Sequence, residues 1–156
     1  MKPFTYHTHS TYCDGKNSLF EMARAAYEQG LDSLGLSCHS YVSFDVGCCI
    51  TEDKTEQFKS EIRALETEYR PKGLDIFLGI EKDTCTLPHG RPEGYDYVIG
   101  SIHNLLVGDE YVTVDSKRSF YTNLDKYFSG DAIALSVEYY KTIAELHSLT
   151  GFDIVG

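Results

Sequence analysis

The sequence predicts an α/β fold built on a largely parallel sheet. Strand-length apolar runs alternate with helical patterns from end to end, and no linker or low-complexity tract interrupts them. A chain of 156 residues, 42% of them hydrophobic, is enough for one domain with its own core, so 1–156 reads as a single domain.

Pro3 to Tyr6 is the first strand run. Ser18 and Glu21 then stand at capping-box spacing, and Leu19, Met22, Ala23 and Ala26 follow at helical intervals until Gly30. Ser33 to Cys38 is the second strand. Phe58, Ile62, Leu65 and Tyr69 mark one face of the next helix, which stops at Pro71 and Gly73. The third and fourth strands, Leu74 to Ile80 and Tyr97 to Ile102, are joined by a loop rich in Pro and Gly. Two helices follow, one carrying Phe120, Leu124 and Phe128, the other Ile133, Val137, Tyr140 and Ala144, with Gly151 as the stop. A fifth strand, Phe152 to Val155, completes the pattern.

The 24 acidic residues outnumber 14 Lys and Arg, giving a net charge of −10 with no basic stripe, which disfavours nucleic-acid and anionic-membrane partners. No apolar stretch approaches bilayer length, and Met1 to Tyr6 lacks the pattern of an export signal, so a soluble, cytoplasmic protein is expected. Cys13, Cys38, Cys48, Cys49 and Cys85 are odd in number and lack Cys-x-x-Cys spacing; reduced thiols are the expectation.

Residues suited to metal recur directly after successive strand runs: His7 and His9 after the first, His39 after the second, Glu81 after the third and His103 after the fourth. In an α/β barrel these positions share the C-terminal mouth. In extended backbone, side chains at i and i+2 point the same way, so His7 and His9 can reach one cation, and Asp14 in the loop beyond can add an oxygen. Imidazole with carboxylate suits Zn, Fe or Mn better than Ca or Mg. Glu81, with two oxygens, is the natural bridge between two cations, and Glu81 and His103 are the candidate catalytic residues. Any one of these histidines could instead be a hydrogen-bonded structural residue; their placement at four strand ends is what favours a site. His147, in the last turn of a helix, reads as a dipole partner or packing residue. His89 either lines a pocket or faces solvent, and solvent is the expectation. Cys13 and Cys38 are soft ligands or small core residues.

These motifs resemble the PHP (polymerase and histidinol phosphatase) family. The resemblance rests on His7-Thr-His9-Ser with Cys13-Asp-Gly15, Ser37-Cys-His39-Ser, Gly79-Ile-Glu81-Lys-Asp83 and Ile99-Gly-Ser-Ile-His103. Val114-Asp115-Ser116, Tyr139-Tyr140 and the terminal Phe152 to Gly156 look like its histidinol-phosphatase branch. The resemblance implies a distorted seven-stranded (β/α) barrel and a trinuclear metal centre that hydrolyses L-histidinol phosphate in histidine biosynthesis. It marks His7, His9, Asp14, His39, Glu81 and His103 as metal ligands. It also implies a further His directly after Gly156 and a later Asp-x-His pair, so the chain reads as the N-terminal portion of the barrel, its first five strands. On that reading it is a poor phosphatase by itself and a marginally stable fold with unpaired sheet edges. Asp83, on the same strand face as Glu81, is the candidate partner for a substrate ammonium. Action on another phosphate ester, or a non-catalytic metal-binding module, are the competing functions.

Overall fold

The computed structural model describes residues 2–44, 47–83, 85–86, 90–117, 119–146 and 151–156. His89 and His147 lie outside the described residues. The strands are β1 (Phe4–Thr5), β2 (Ser33–Leu36), β3 (Asp75–Asp83), β4 (Tyr97–Ser101), β5 (Asn104–Val107), β6 (Glu110–Thr113) and β7 (Ile154–Val155). The α-helices are α1 (Leu19–Glu28), α2 (Thr55–Tyr69), α3 (Phe120–Phe128) and α4 (Ala132–Leu146).

Five strands form one sheet in the order β1-β2-β3-β4-β7, every pair parallel, curled into a half-barrel. Parallel strands covered on both faces need apolar side chains throughout rather than at alternate positions. All four residues of β2 and all five of β4 are accordingly buried. Helix α1 begins as its spacing predicts: the Glu21 carboxylate accepts from Ser18 N–H at 2.8 Å, and Ser18 Oγ accepts from Glu21 N–H at 3.3 Å. Leu19, Ala23 and Ala26 then face the sheet. Helix α2 buries Phe58, Ile62, Leu65 and Tyr69, and the chain leaves it through Gly73 at φ 88°, a backbone angle that favours glycine. These faces meet Leu34, Leu36, Ile76, Leu78, Ile80 and Val98 in the main core. A second cluster holds Ile102, Leu105, Val114, Leu124, Leu135 and Leu146, and Phe152 touches both clusters.

Two features depart from the sequence expectation. First, β5 and β6 form an antiparallel hairpin that the apolar pattern does not announce. Its two-residue loop begins with Gly108 at φ 63°, the angle a primed hairpin turn requires there. Second, β3 runs to Asp83, three residues past the apolar run, so Glu81 lies inside the strand. The edges of the sheet are β1 and β7, each paired on one side among the described residues. No described helix is long and apolar enough to cross a membrane, and no disulfide joins the cysteines among the described residues.

Gly35 and Gly79 make room for one aromatic ring. A Cβ at either position would collide with the Tyr97 side chain, whose hydroxyl donates to the Tyr6 carbonyl at 2.6 Å and so ties β4 to the end of β1. Gly79→Ala should therefore displace the ring and cost about 1–3 kcal/mol in chemical denaturation. Gly47→Ala, where nothing stands within 4 Å of the added carbon, should stay within about 0.5 kcal/mol. Equal effects at the two positions would refute this packing role.

Candidate metal centre

The C-terminal ends of β1 to β4 deliver their polar side chains to one point. Beyond β1, Thr8 holds the chain against the end of β2: its N–H donates to Ser37 Oγ and its hydroxyl donates to the Gly35 carbonyl at 2.6 Å. His7 and His9 flank Thr8 and both reach Glu81. Parallel pairing also continues past β2, with Glu81 N–H donating to the Cys38 carbonyl at 3.0 Å and Ser40 N–H to the Glu81 carbonyl at 2.7 Å. That bridge sets His39 directly beside Glu81.

Glu81 is 1% exposed and sits at the centre. Its Oε2 lies 3.0 Å from His7 Nε2, 3.2 Å from His9 Nε2 and 3.1 Å from His39 Nδ1, while Oε1 lies 3.2 Å from His103 Nε2. Asp14 stands on the outer side, 3.4 Å from His9 Nδ1 and 3.7 Å from His39 Nε2. Three groups emerge whose donor atoms lie within 4.8 Å of one another: His7, His9 and Glu81; His9, Asp14 and His39; and His39, Glu81 and His103. Glu81 Oε2, despite three close nitrogens, is a buried oxygen with no hydrogen bond of acceptable geometry. Imidazole nitrogens and a carboxylate oxygen converging on one point are the donor set a divalent cation takes. Two ligand atoms on one tetrahedral zinc stand about 3.4 Å apart, close to the spacings here. The residues therefore fit divalent cations, with Glu81 shared between the first and third groups.

Burial alone would raise the Glu81 carboxyl, but the imidazoles of His103, His7 and His9 beside it hold it well below the ordinary carboxylate range. His39 is pushed down by burial, against the pull of Glu81 and with the help of His9 and His103 beside it, which favours the neutral form a ligand needs. Burial would also lower His9 and His103, yet Cys13 and Glu81 raise the former, and Asp83 and Glu81 the latter, each to about 10. Both folded values exceed the ordinary 6.5. Their contribution to metal-free stability is thus complete below about pH 6.5 and is lost as pH rises through about 10. The melting temperature of metal-free protein should fall over that window, and zinc added near neutral pH should release protons. A rising melting temperature, or uptake without proton release, would contradict this charge state.

Asp83 lies beside His103. It is 4% exposed, and its Oδ2 accepts from His103 N–H at 2.7 Å, from His103 Nδ1 at 3.1 Å and from Asn104 N–H at 3.2 Å, while Oδ1 accepts from Cys85 N–H at 3.0 Å. Both oxygens accept donors from the chain itself, and Asp83 also lines the cavity beside the cluster. Asp83 fixes the His103 ring with Nδ1 protonated and Nε2 turned to Glu81. The i+2 spacing from Glu81 placed Asp83 on the right face; it could not reveal that the following turn and the β4 end would enclose it.

A cavity of about 260 Å³ opens beside the cluster, lined in part by His39, Glu81, His103, Thr113, Asp115 and Ser116. Sequence reasoning gave Asp115 no role. The unannounced hairpin brings it in, through a hydrogen bond from Val114 N–H to the His103 carbonyl at 2.9 Å.

The sequence model of the PHP domain matches residues 5–156. Among curated proteins, the DNA polymerase/3'-5' exonuclease PolX of Bacillus subtilis (strain 168) is 32% identical over 125 residues, covering 75% of this chain and 21% of its own. Among solved structures, a proposed histidinol phosphatase from Listeria monocytogenes superposes with a TM-score of 0.61 at 17% identity, over 76% of this chain and 52% of its own. The latter likeness is one of fold. The chain thus spans about a fifth of the first relative's length and about half of the second's.

Proposed function

The chain belongs to the PHP domain family, and on that premise we propose that it is a metal-dependent phosphoesterase acting on a small phosphate monoester, L-histidinol phosphate in particular. The observation that carries this reading is the buried Glu81 carboxylate, ringed by His7, His9, His39 and His103 at the open end of the sheet. Zn, Fe or Mn held by His7, His9, Asp14, His39, Glu81 and His103 would supply Lewis-acid polarisation of phosphate oxygens and acidification of water.

The chain's own residues then have distinct tasks. Glu81 brings a negative charge to the centre and would hold cations beside it. His103, braced by Asp83, holds one ligand nitrogen in a fixed direction, and the cavity beside it admits an ester of limited size. An imidazole ordinarily lends one nitrogen to one ion. His9 and His39 each belong to two of the three groups, so these residues alone satisfy two cations sharing Glu81. A trinuclear centre would draw further ligands from beyond them. The proposed setting is cytoplasmic, with neither membrane nor nucleic acid as partner.

A second reading is hydrolysis of a phosphodiester at a DNA 3′ end, favoured by the identity with PolX. Against it stand the net charge of −10 and the lack of Lys or Arg among the described residues lining the cavity. The test is phosphate release by the manganese- or zinc-loaded protein from histidinol phosphate and a nucleoside monophosphate, alongside nucleotide release from a single-stranded oligonucleotide. Histidinol phosphate should be turned over fastest. Preference for the oligonucleotide would favour the second reading, and metal binding without turnover of any of them would leave a non-catalytic module.

A further inference from the structure

Two thiols stand against the metal cluster with no task in the chemistry above. Cys38, 1% exposed, follows β2 and directly precedes His39; Cys13 lies in the loop beyond β1 and directly precedes Asp14. That loop is folded tightly enough to fix Cys13 over Cys38. Cys13 N–H and Gly15 N–H both donate to the Ser10 carbonyl at 3.0 Å, and a Cβ on Gly15 would overlap the His9 and Ser10 backbone. Ser10 Oγ lies 3.3 Å from Cys38 Sγ, and the Cys13 and Cys38 side chains are in contact at the edge of the main core. On its other side, Cys13 Sγ is 3.5 Å from His9 Nδ1. One sulfur is thus partly open to solvent and the other is enclosed behind it, the arrangement of an attacking thiol with a resolving partner.

We propose that Cys13 and Cys38 form a reversible disulfide in response to peroxide, and that this bond weakens cation binding at the cluster. The Cys13 sulfur attacks one peroxide oxygen: an S–O bond forms, the O–O bond breaks, and the thiol proton leaves with the departing water or alcohol. The Cys38 sulfur then attacks the Cys13 sulfenic acid, forming S–S and breaking S–O, and the hydroxyl leaves as water with the Cys38 proton. The two sulfurs together give up two electrons, which the peroxide takes. Disulfide sulfurs stand about 2.0 Å apart, far closer than two thiols in contact, so the bond draws Cys13 towards Cys38 and away from His9. Asp14 and His39, the next residue on each arm, move with it, and His9, Asp14 and His39 are one of the three donor groups. Reciprocity requires a bound cation to favour the dithiol by the same factor. The disulfide does not depend on the phosphoesterase reading; its consequence rests on the metal cluster.

The test treats metal-free protein with hydrogen peroxide, maps the unreduced digest by mass spectrometry and titrates manganese calorimetrically before and after. The expected product is a Cys13–Cys38 crosslink lacking two hydrogens, with manganese affinity lower by about tenfold and both changes reversed by dithiothreitol. Cys38→Ser, whose hydroxyl keeps the contact with Ser10, should form no crosslink and should stop at a Cys13 sulfenic acid that dimedone captures. In a glutathione buffer, saturating manganese should shift the wild type about tenfold towards the dithiol. The proposal is overturned if peroxide leaves Cys13 and Cys38 unlinked, if the crosslink joins other cysteines, or if the crosslinked protein binds manganese as tightly as the reduced one. Absence of a dimedone adduct on Cys13 in Cys38→Ser would also overturn it. If crosslink and affinity behave as expected while no phosphate ester is hydrolysed, the phosphoesterase reading fails and the redox switch stands.

Discussion

Replacing Glu81 by Gln should strip the protein of most of its bound metal and lower phosphate release at least about 100-fold. Loss of a residue that merely supports a ligand costs about 10- to 100-fold in metal affinity or activity, and Glu81 contacts four imidazoles directly. Gln preserves the shape but not the function: it is neutral, and its amide group directs N–H bonds at nitrogens that must present lone pairs. Ligand binding stabilises only a protein that retains the site. Manganese should therefore raise the melting temperature of the wild type and leave that of Glu81→Gln almost unmoved. Unchanged metal content in this variant would remove Glu81 from the centre.

Asp83→Asn is the second large effect, and it acts through His103. An amide in place of the carboxylate loses the charge that holds Nδ1–H, so the ring is free to change tautomer and turn Nε2 away from Glu81. Metal affinity at the position served by His103 should fall about 10- to 100-fold. A buried carboxylate that accepts several backbone and side-chain donors also supports the fold, and about 1–3 kcal/mol of stability should go with it. The two roles separate experimentally. Raising manganese should restore much of the activity if the defect lies in His103 orientation, and the imidazole signals of His103 should report the changed tautomer. A purely structural Asp83 would give lower stability with unaltered metal affinity.

Much of this was legible in the sequence because parallel βα units have a regular grammar. The Ser18 and Glu21 cap, the Phe58-to-Tyr69 helix face and the strand runs are local patterns, and the structure places helices and sheet where they indicate. Convergence of His7, His9, His39, Glu81 and His103 followed from a topological rule, that side chains just past parallel strands share one mouth. What stayed hidden depends on enclosure. Asp83 lies on the strand face expected of it, but whether it meets a ligand or a histidine is decided by the β4 end, Asn104 and the turn to Cys85. The β5–β6 hairpin escaped because its first strand, Asn104–Val107, lacks period-two alternation; the Gly108-Asp109 pair was the available signal. Asp115 was visible as part of a motif, but its place beside His103 depends on that hairpin.

The central claim is that His7, His9, His39, Glu81 and His103 bind catalytic cations around Glu81. Anomalous diffraction from manganese-loaded crystals tests it most directly. Two peaks are expected, one among His7, His9 and Glu81 and one among His39, Glu81 and His103, with the Glu81 carboxylate between them. Peaks elsewhere on the protein, with Glu81 enclosed by its imidazoles and touching no ion, would contradict it.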